Sequence, residues 1–202
     1  MEASTFGSDM FRGRNGPLRV IQPKEKGPLY DAMFAAAREI GIQKNCDYNG
    51  EFQDGVAMTQ ATISRGKRQS TAVAYLNPAR YRKNLTTITD SYVTKLILKD
   101  NKCIGIEYLK NNTTHKLLAN KEVIVCSGTI NSPQLLELSG IGDAEIKKNK
   151  GITVEHHLPG VGQNLRDHYA PRMKWAIQKK GYTNNDKARV HGLILQGAQY
   201  IF

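Results

Sequence analysis

The sequence predicts a mixed fold of helices and strands, in which a buried strand leading into a helix stands beside an antiparallel meander. Three observations carry this prediction. Residues 123–126 in "EVIVCSG" form an unbroken apolar run that stops on two small residues just before a helix-like segment. Residues 84–119 hold short β-branched stretches separated by polar turns. Residues 28–41 space their apolar side chains as a helix does.

In "GPLYDAMFAAAREIGI", Pro28 suits a first helical turn and Gly41 a stop, and Leu29, Met33, Ala36 and Ile40 are expected on one face. "DYNGEFQDG" (47–55) carries two breakers, Asn49-Gly50 and Asp54-Gly55, and is expected to be a turn region. "VAMTQATIS" (56–64) follows as an expected strand. Ser70 stands where it can cap a short helix through "TAVAYLN", which should end as Pro78 approaches. "NLTTIT" and "SYVTKLIL" read as strands, "KDNK" as a turn, and "CIGIEYL" alternates Ile104, Ile106 and Tyr108. With a further turn and strand in "NNTTHKLLAN", these pieces should form the meander.

Residues 123–126 are expected to be a central strand covered on both faces. In "INSPQLLELSG", Ser132 is the expected cap and Pro133 the first helical residue, with Leu135, Leu136 and Leu138 buried before Gly140. A buried strand, a small-residue turn and a helix start make half of a nucleotide-binding unit, and ligands sit at the carboxyl ends of such strands. Asp143 should cap a short helix in "AEIKKNK", and "GITVEHHLPG" should hold a short strand. "PRMKWAIQKK" reads as another strand anchored by Trp175, and "HGLILQGAQYIF" as an apolar helix.

Twenty-nine Lys and Arg against eighteen Asp and Glu give a net charge of +11. Such a charge can attract nucleic acid, an anionic membrane or a phosphate-bearing ligand. The cations are scattered through "RGKR" (65–68), "ARYRK" (79–83), "KKNK" (147–150) and "KK" (179–180), and none alternates with aromatics as a base-stacking platform does. A solvated basic surface and no nucleic-acid partner are therefore expected. Cys46, Cys103 and Cys126 are odd in number and widely spaced, which fits neither a zinc pair nor a disulfide framework. Reduced thiols and a cytoplasmic location are the expectation. No apolar run is long enough to span a bilayer, and the polar "MEASTFGSDMFRGRNG" does not resemble a secretory leader. Association with a membrane surface is left open.

"GIGDAE" and "GVGQNL" each contain GxG without completing the dinucleotide fingerprint GxGxxG. Gly160 and Gly162 would allow an anion-binding nest of backbone N–H groups, or simply a corner after Pro159. His156 and His157 are adjacent, so in a strand they face opposite ways and are poorly placed to share a metal. His168 follows Asp167 directly, a poor geometry for that Asp to orient that His. Neither GxSxG nor HExxH occurs. No metal site and no catalytic residue are expected.

"GTINSPQLLELSGIG" (128–142) resembles the second signature of the glucose–methanol–choline (GMC) oxidoreductases in its small residue, Ser132-Pro133, Leu135-Leu136 and Ser139-Gly140-Ile141-Gly142. "RGKRQSTAVAYLNPARYRKNLTTITDSYVTKLIL" is similar to the family segment before its adenine-contacting strand. "GITVEHHLPGVGQNLRDH" resembles the block that closes on Gly-Val-Gly-x-Asn-Leu-x-Asp-His, and "DYNGEFQDG" fits the segment preceding them. The similarity points to the choline-dehydrogenase-like and alcohol-dehydrogenase-like bacterial branch.

The resemblance implies an α/β, Rossmann-like FAD-binding domain interleaved with a substrate domain on an antiparallel sheet. Residues 65–168 would belong to the first, and 1–64 and 169–202 to the second. It also implies that Val93 contacts the FAD adenine through its backbone, that Ser127 and Gly128 face the cofactor, and that Asn131 stands next to them. The implied reaction is oxidation of a small-molecule alcohol, choline-like substrates included, with hydride passing to flavin; the electron acceptor is left open. The family's complete GxGxxG and its active-site pair, a His with a His or Asn, have no counterpart in these residues. The chain is therefore expected to be an internal piece that binds FAD weakly and lacks turnover. Two other readings are a basic module for nucleic acid or anionic surfaces, and an inactive relic of the fold.

Overall fold

Short β-prone stretches broken by glycine, asparagine and aspartate give several small sheets and short helices. The computed structural model describes residues 1–23 and 27–178, with positions 182, 183 and 193. Two compact units are present: one built on Met1–Leu85, with which the described residues after Arg172 group, and a second comprising Thr86–Arg172.

In the first unit, β1 (Glu2–Ser4) pairs in parallel with β2 (Leu18–Val20), Ala3 opposite Arg19. The intervening loop is fixed by Arg12, whose buried guanidinium needs acceptors on every side. Its Nε donates to Asp47 Oδ2 at 2.9 Å, and its Nη2 to Asp47 Oδ1 and, at 2.7 Å, to Gln60 Oε1. Glu2 lies 3.6 Å from Nη1, and the Phe6 ring centroid is 5.3 Å from the guanidinium carbon. The hydrogen bonds from Arg12 hold the Asp47 carboxyl down at about 2.

Helix α1 (Pro28–Glu39) starts at the expected proline, and Gly41 follows its end at φ 83°. The face it buries is not the expected one. Tyr30 and Phe34 are half-buried and Ala37 is buried, while Leu29, Met33 and Ile40 are exposed. Both sets are apolar at helical spacing, and the set with two aromatic rings removes more area from water.

Residues 56–64 do not form the expected strand. Only β3 (Ile63–Ser64) pairs, with β4 (Lys67–Arg68), across Arg65-Gly66, both at positive φ as a tight hairpin turn requires. The preceding backbone spends its groups elsewhere: Val56 and Ala61 make isolated bridges to Lys44 and Ile21, and the Gln60 N–H donates to the Tyr48 hydroxyl. Ser70 Oγ accepts from the Val73 N–H at 3.3 Å, as expected of a cap. The helix then runs past its expected end. Residues Ala72–Leu76 form a π-helical turn that continues into α2 (Asn77–Ala79). The Asn77 N–H reaches the Ala72 carbonyl, five residues back, and the wider turn accommodates Pro78.

The second unit is built on the expected meander, β5 (Tyr92–Lys99), β6 (Lys102–Lys110) and β7 (Thr113–Leu118). Asp100-Asn101 and Asn111-Asn112, all at φ between 50° and 60°, form its two-residue turns. Helix α3 (Gly128–Leu138) packs on β5, where Leu96 is 3% exposed and Leu135 of the helix 7%. At the buried Gly105 of β6 a Cβ would stand 2.4 Å from the Leu117 carbonyl oxygen.

Further expectations fail. "NLTTIT" forms no ladder; its side chains are exposed, and the strand begins only after Asp90 turns the chain at φ 53°. Residues 123–126 are in no strand, and Ile124 is 75% exposed. A strand covered on both faces needs neighbours on both edges, and no described strand lies beside this run. Helix α3 begins at Gly128, so Ser132 and Pro133 lie inside it rather than at its start, and Leu138 is half exposed rather than buried. Pro133 deprives the Thr129 carbonyl of its helical donor, a loss on an exposed first turn. Residues 171–178 form no strand, and Trp175 is 69% exposed instead of an anchor.

Beyond α3, β8 (Ile141–Gly142) pairs in parallel with β9 (His156–His157). Between them stands α4 (Ala144–Asn149), capped as expected by Asp143 Oδ1, which accepts from the N–H groups of Ile146 and Glu145. Those bonds lower the Asp143 carboxyl. Lys147 is buried, with its ammonium 3.3 Å from Glu137 of α3. All three cysteines are free. Among the described residues no helix is long and apolar enough to cross a membrane. The helix expected in "HGLILQGAQYIF" lies outside the described residues.

Candidate functional site

Strand β5 and helix α3 are joined by a side-chain bridge. Ser139 Oγ, just past α3, accepts from the Leu96 N–H of β5 at 2.8 Å and donates to the Leu135 carbonyl at 2.6 Å. A cleft of about 260 Å³ runs along α3, between the helix and the opening of β5. Ser91, Tyr92 and Val93 form one wall, and Ser127, Asn131, Gln134, Leu135 and Leu138 the other.

Three of the four residues singled out from the sequence thus share one cleft: Val93, Ser127 and Asn131. Gly128 follows Ser127 as the first residue of α3, at φ 86°, with nothing within 4 Å of where a Cβ would stand. The Ser127 side chain makes no capping bond, so the first-turn amides of α3 are not spent on it.

Gln134, Tyr92, Ser91 and Leu138 also line the cleft and were missed. Gln134 and Leu138 follow Asn131 by three and seven residues and therefore share its helix face. Helical spacing counted from Asn131 would have found both. Nothing in the sequence placed Tyr92 opposite them, since that needs the sheet and helix to be docked.

On the other flank of α3 lies a larger groove of about 540 Å³, bordered by Thr129, Ile130, Pro133, Gln134, Glu137 and residues 162–166. The loop "LPGVGQNL" is therefore a corner that closes against α3. The Val161 N–H donates to Leu158 and the Gln163 N–H to Gly160, while Gly162 and Asn164 take positive φ. Asp167 accepts from the backbone N–H of His168 and does not orient its ring. His156 and His157 are exposed, and His157 Nδ1 accepts from the Ala144 N–H at 3.1 Å. Among the described residues no three of His, Cys, Asp and Glu come together as a metal site.

The sequence pattern of the GMC oxidoreductases matches residues 3–170. The human protein "Choline dehydrogenase, mitochondrial" is 46% identical over 163 residues, which cover 81% of this chain and 27% of that protein. An "Oxygen-dependent choline dehydrogenase" of Staphylococcus aureus is 44% identical over 167 residues, 81% of this chain and 29% of that one. Among solved structures, pyridoxine 4-oxidase from Mesorbium loti superposes with a TM-score of 0.72 at 31% identity, over 79% of this chain and 31% of that one. An FAD-dependent oxidoreductase from Chaetomium thermophilum gives a TM-score of 0.75 at 28% identity, over 82% of this chain and 31% of that one. The chain thus spans less than a third of the length of these relatives.

Proposed function

The chain belongs to the GMC oxidoreductase family, and on that premise we propose that it is a central part of an FAD-dependent oxidoreductase of CH–OH groups. Its substrates would be small alcohols, choline-like ones among them, a class suggested by the names of the relatives. The single observation that carries the reading is the convergence of Val93 with Ser127 and Asn131 on one cleft.

The residues present fit an adenine nucleotide. Tyr92, Val93, Leu135 and Leu138 offer apolar walls for a flat ring, and Ser91, Ser127, Asn131 and Gln134 offer donors and acceptors for its edge. The uncapped first turn of α3 favours the adjoining phosphates through its amides and dipole. Gly128 allows a close approach there, because no side chain stands in the way. FAD, when bound, supplies the hydride acceptor for the carbinol carbon. The part of this chain is to hold and orient the nucleotide end; no residue of it is assigned the base that takes the hydroxyl proton. Residues 65–168, which include the cleft, would make up this chain's part of the flavin domain, with residues 1–64 and 169–202 assigned to the substrate domain.

The test is a titration of the 15N-labelled chain with ADP. We expect saturable shifts at the amides of Val93, Ser127, Gly128 and Asn131. FAD should bind weakly enough to be lost on gel filtration, leaving the protein colourless and without alcohol oxidation. Shifts confined to scattered lysines and arginines, with the cleft silent, would overturn the reading.

A further inference from the structure

Ser139 is polar, fully buried and unclaimed by the cleft it stands behind. A serine bonding only to the carbonyl four residues back would be a local helix feature. Ser139 does more, because the same oxygen accepts from Leu96, forty-three positions away on β5. Strand β5 is at the edge of its sheet, and this N–H points away from β6. One hydroxyl therefore satisfies an edge amide of β5 and a last-turn carbonyl of α3 together.

Both bonded residues bear on the cleft. Leu135, whose carbonyl takes the Ser139 proton, contributes its side chain to the cleft wall. Leu96 lies three residues along β5 from Val93 on the opposite wall. Other ties on this end of α3 run to different elements. Glu137 pairs with Lys147 of α4, and the Gly140 carbonyl accepts from the Glu155 and His156 amides. None of these ties reaches β5.

We infer that Ser139 is a positioning residue: its hydroxyl sets the spacing of α3 from β5 and thereby the grip of the Val93–Asn131 cleft on an adenine nucleotide. The inference rests on the nucleotide reading proposed above. Removing the hydroxyl leaves the Leu96 N–H buried without an acceptor and frees α3 to shift. Threonine keeps the hydroxyl, and Ser139 borders a small pocket of about 130 Å³ beside Leu96 and Leu98.

The experiment compares ADP affinity and melting temperature for the wild-type chain, Ser139→Ala, Ser139→Thr and Ile106→Ala. Ile106 pairs with Leu96 in the sheet but does not border the cleft, so its truncation controls for lost stability alone. Ser139→Ala should weaken ADP binding at least about tenfold. Ser139→Thr and Ile106→Ala should stay within roughly threefold of wild type, the latter despite a lower melting temperature. Should Ser139→Ala fail to fold, Ser139→Cys, a close isostere with a poor acceptor, takes its place with the same expectation. If wild type binds at the cleft but Ser139→Ala binds equally well, or Ile106→Ala loses as much, the positioning role is refuted and the nucleotide reading stands. If wild type shows no ADP-dependent shift at the cleft, both fall together.

Discussion

At the scale of single residues, Arg12 and Asp47 form the buried ion pair that fixes the amino-terminal loop. The side-chain hydrogen bond from Arg12 holds Asp47 at about 2, against an ordinary 3.8. A carboxyl lowered on folding stabilises the protein above its unfolded pKa, and that contribution is lost as pH falls through the folded value. The difference corresponds to about 2 kcal/mol at neutral pH, lost between about pH 4 and pH 2. Asp47→Asn should cost about 2 kcal/mol at neutral pH, because Arg12 loses its carboxylate hydrogen-bond partner and keeps only Gln60 and the more distant Glu2. It should also flatten the acid limb of the stability curve. Urea unfolding followed by circular dichroism from pH 2 to pH 7 checks both; an equally steep acid limb in the variant would show that another carboxyl governs it. None of this pairing was legible in the sequence, where Arg12 and Asp47 are merely two charges far apart.

At the scale of elements, the meander was legible because its turns are written locally. Asp100-Asn101 and Asn111-Asn112 are residues that tolerate positive φ, and they sit between β-branched runs. Where the outcome depended on a distant partner, the sequence was silent or misleading. Helix α1 carries two apolar sets, and only docking selects Tyr30, Phe34 and Ala37 for the inner one. The run at 123–126 has the composition of a covered strand but no described strand to cover it. Helix α3 shows the same limit. Its serine and proline look like a start signal, yet the helix already begins at Gly128. That mismatch has an energetic consequence, since a proline inside a helix removes one hydrogen bond and crowds the preceding turn. Pro133→Ala should therefore raise the unfolding free energy by about 1–3 kcal/mol. An unchanged denaturation midpoint would mean that the Thr129 carbonyl and the first turn are already relaxed around the ring. The candidate cleft follows the same logic: Val93, Ser127 and Asn131 came from family resemblance, whereas Tyr92 and Gln134 emerged only once α3 lay on β5.

At the scale of the whole molecule, two forces act on the surface in opposite directions. The net charge of +11 drives copies of the chain apart. Large exposed apolar side chains draw them together: Leu29 and Met33 on α1, Ile40 just past its end, Leu118 on β7 and Ile124 in the unpaired run. Their dependence on salt separates them, because added salt screens the repulsion over a Debye length of about 8 Å at physiological ionic strength, while sulfate strengthens apolar association. The chain should therefore be monomeric in dilute low-salt buffer and self-associate as sodium sulfate is raised. Sedimentation velocity across a sulfate series measures this directly. A basic module built to grip a polyanion predicts the reverse sign for its own binding, with heparin affinity falling steeply as salt rises. A steep heparin slope together with a mass that stays monomeric in sulfate would favour that rival over an oxidoreductase segment. Growth of the sedimenting mass with sulfate, and only shallow heparin retention, is the outcome expected where exposed apolar side chains rather than scattered cations govern association.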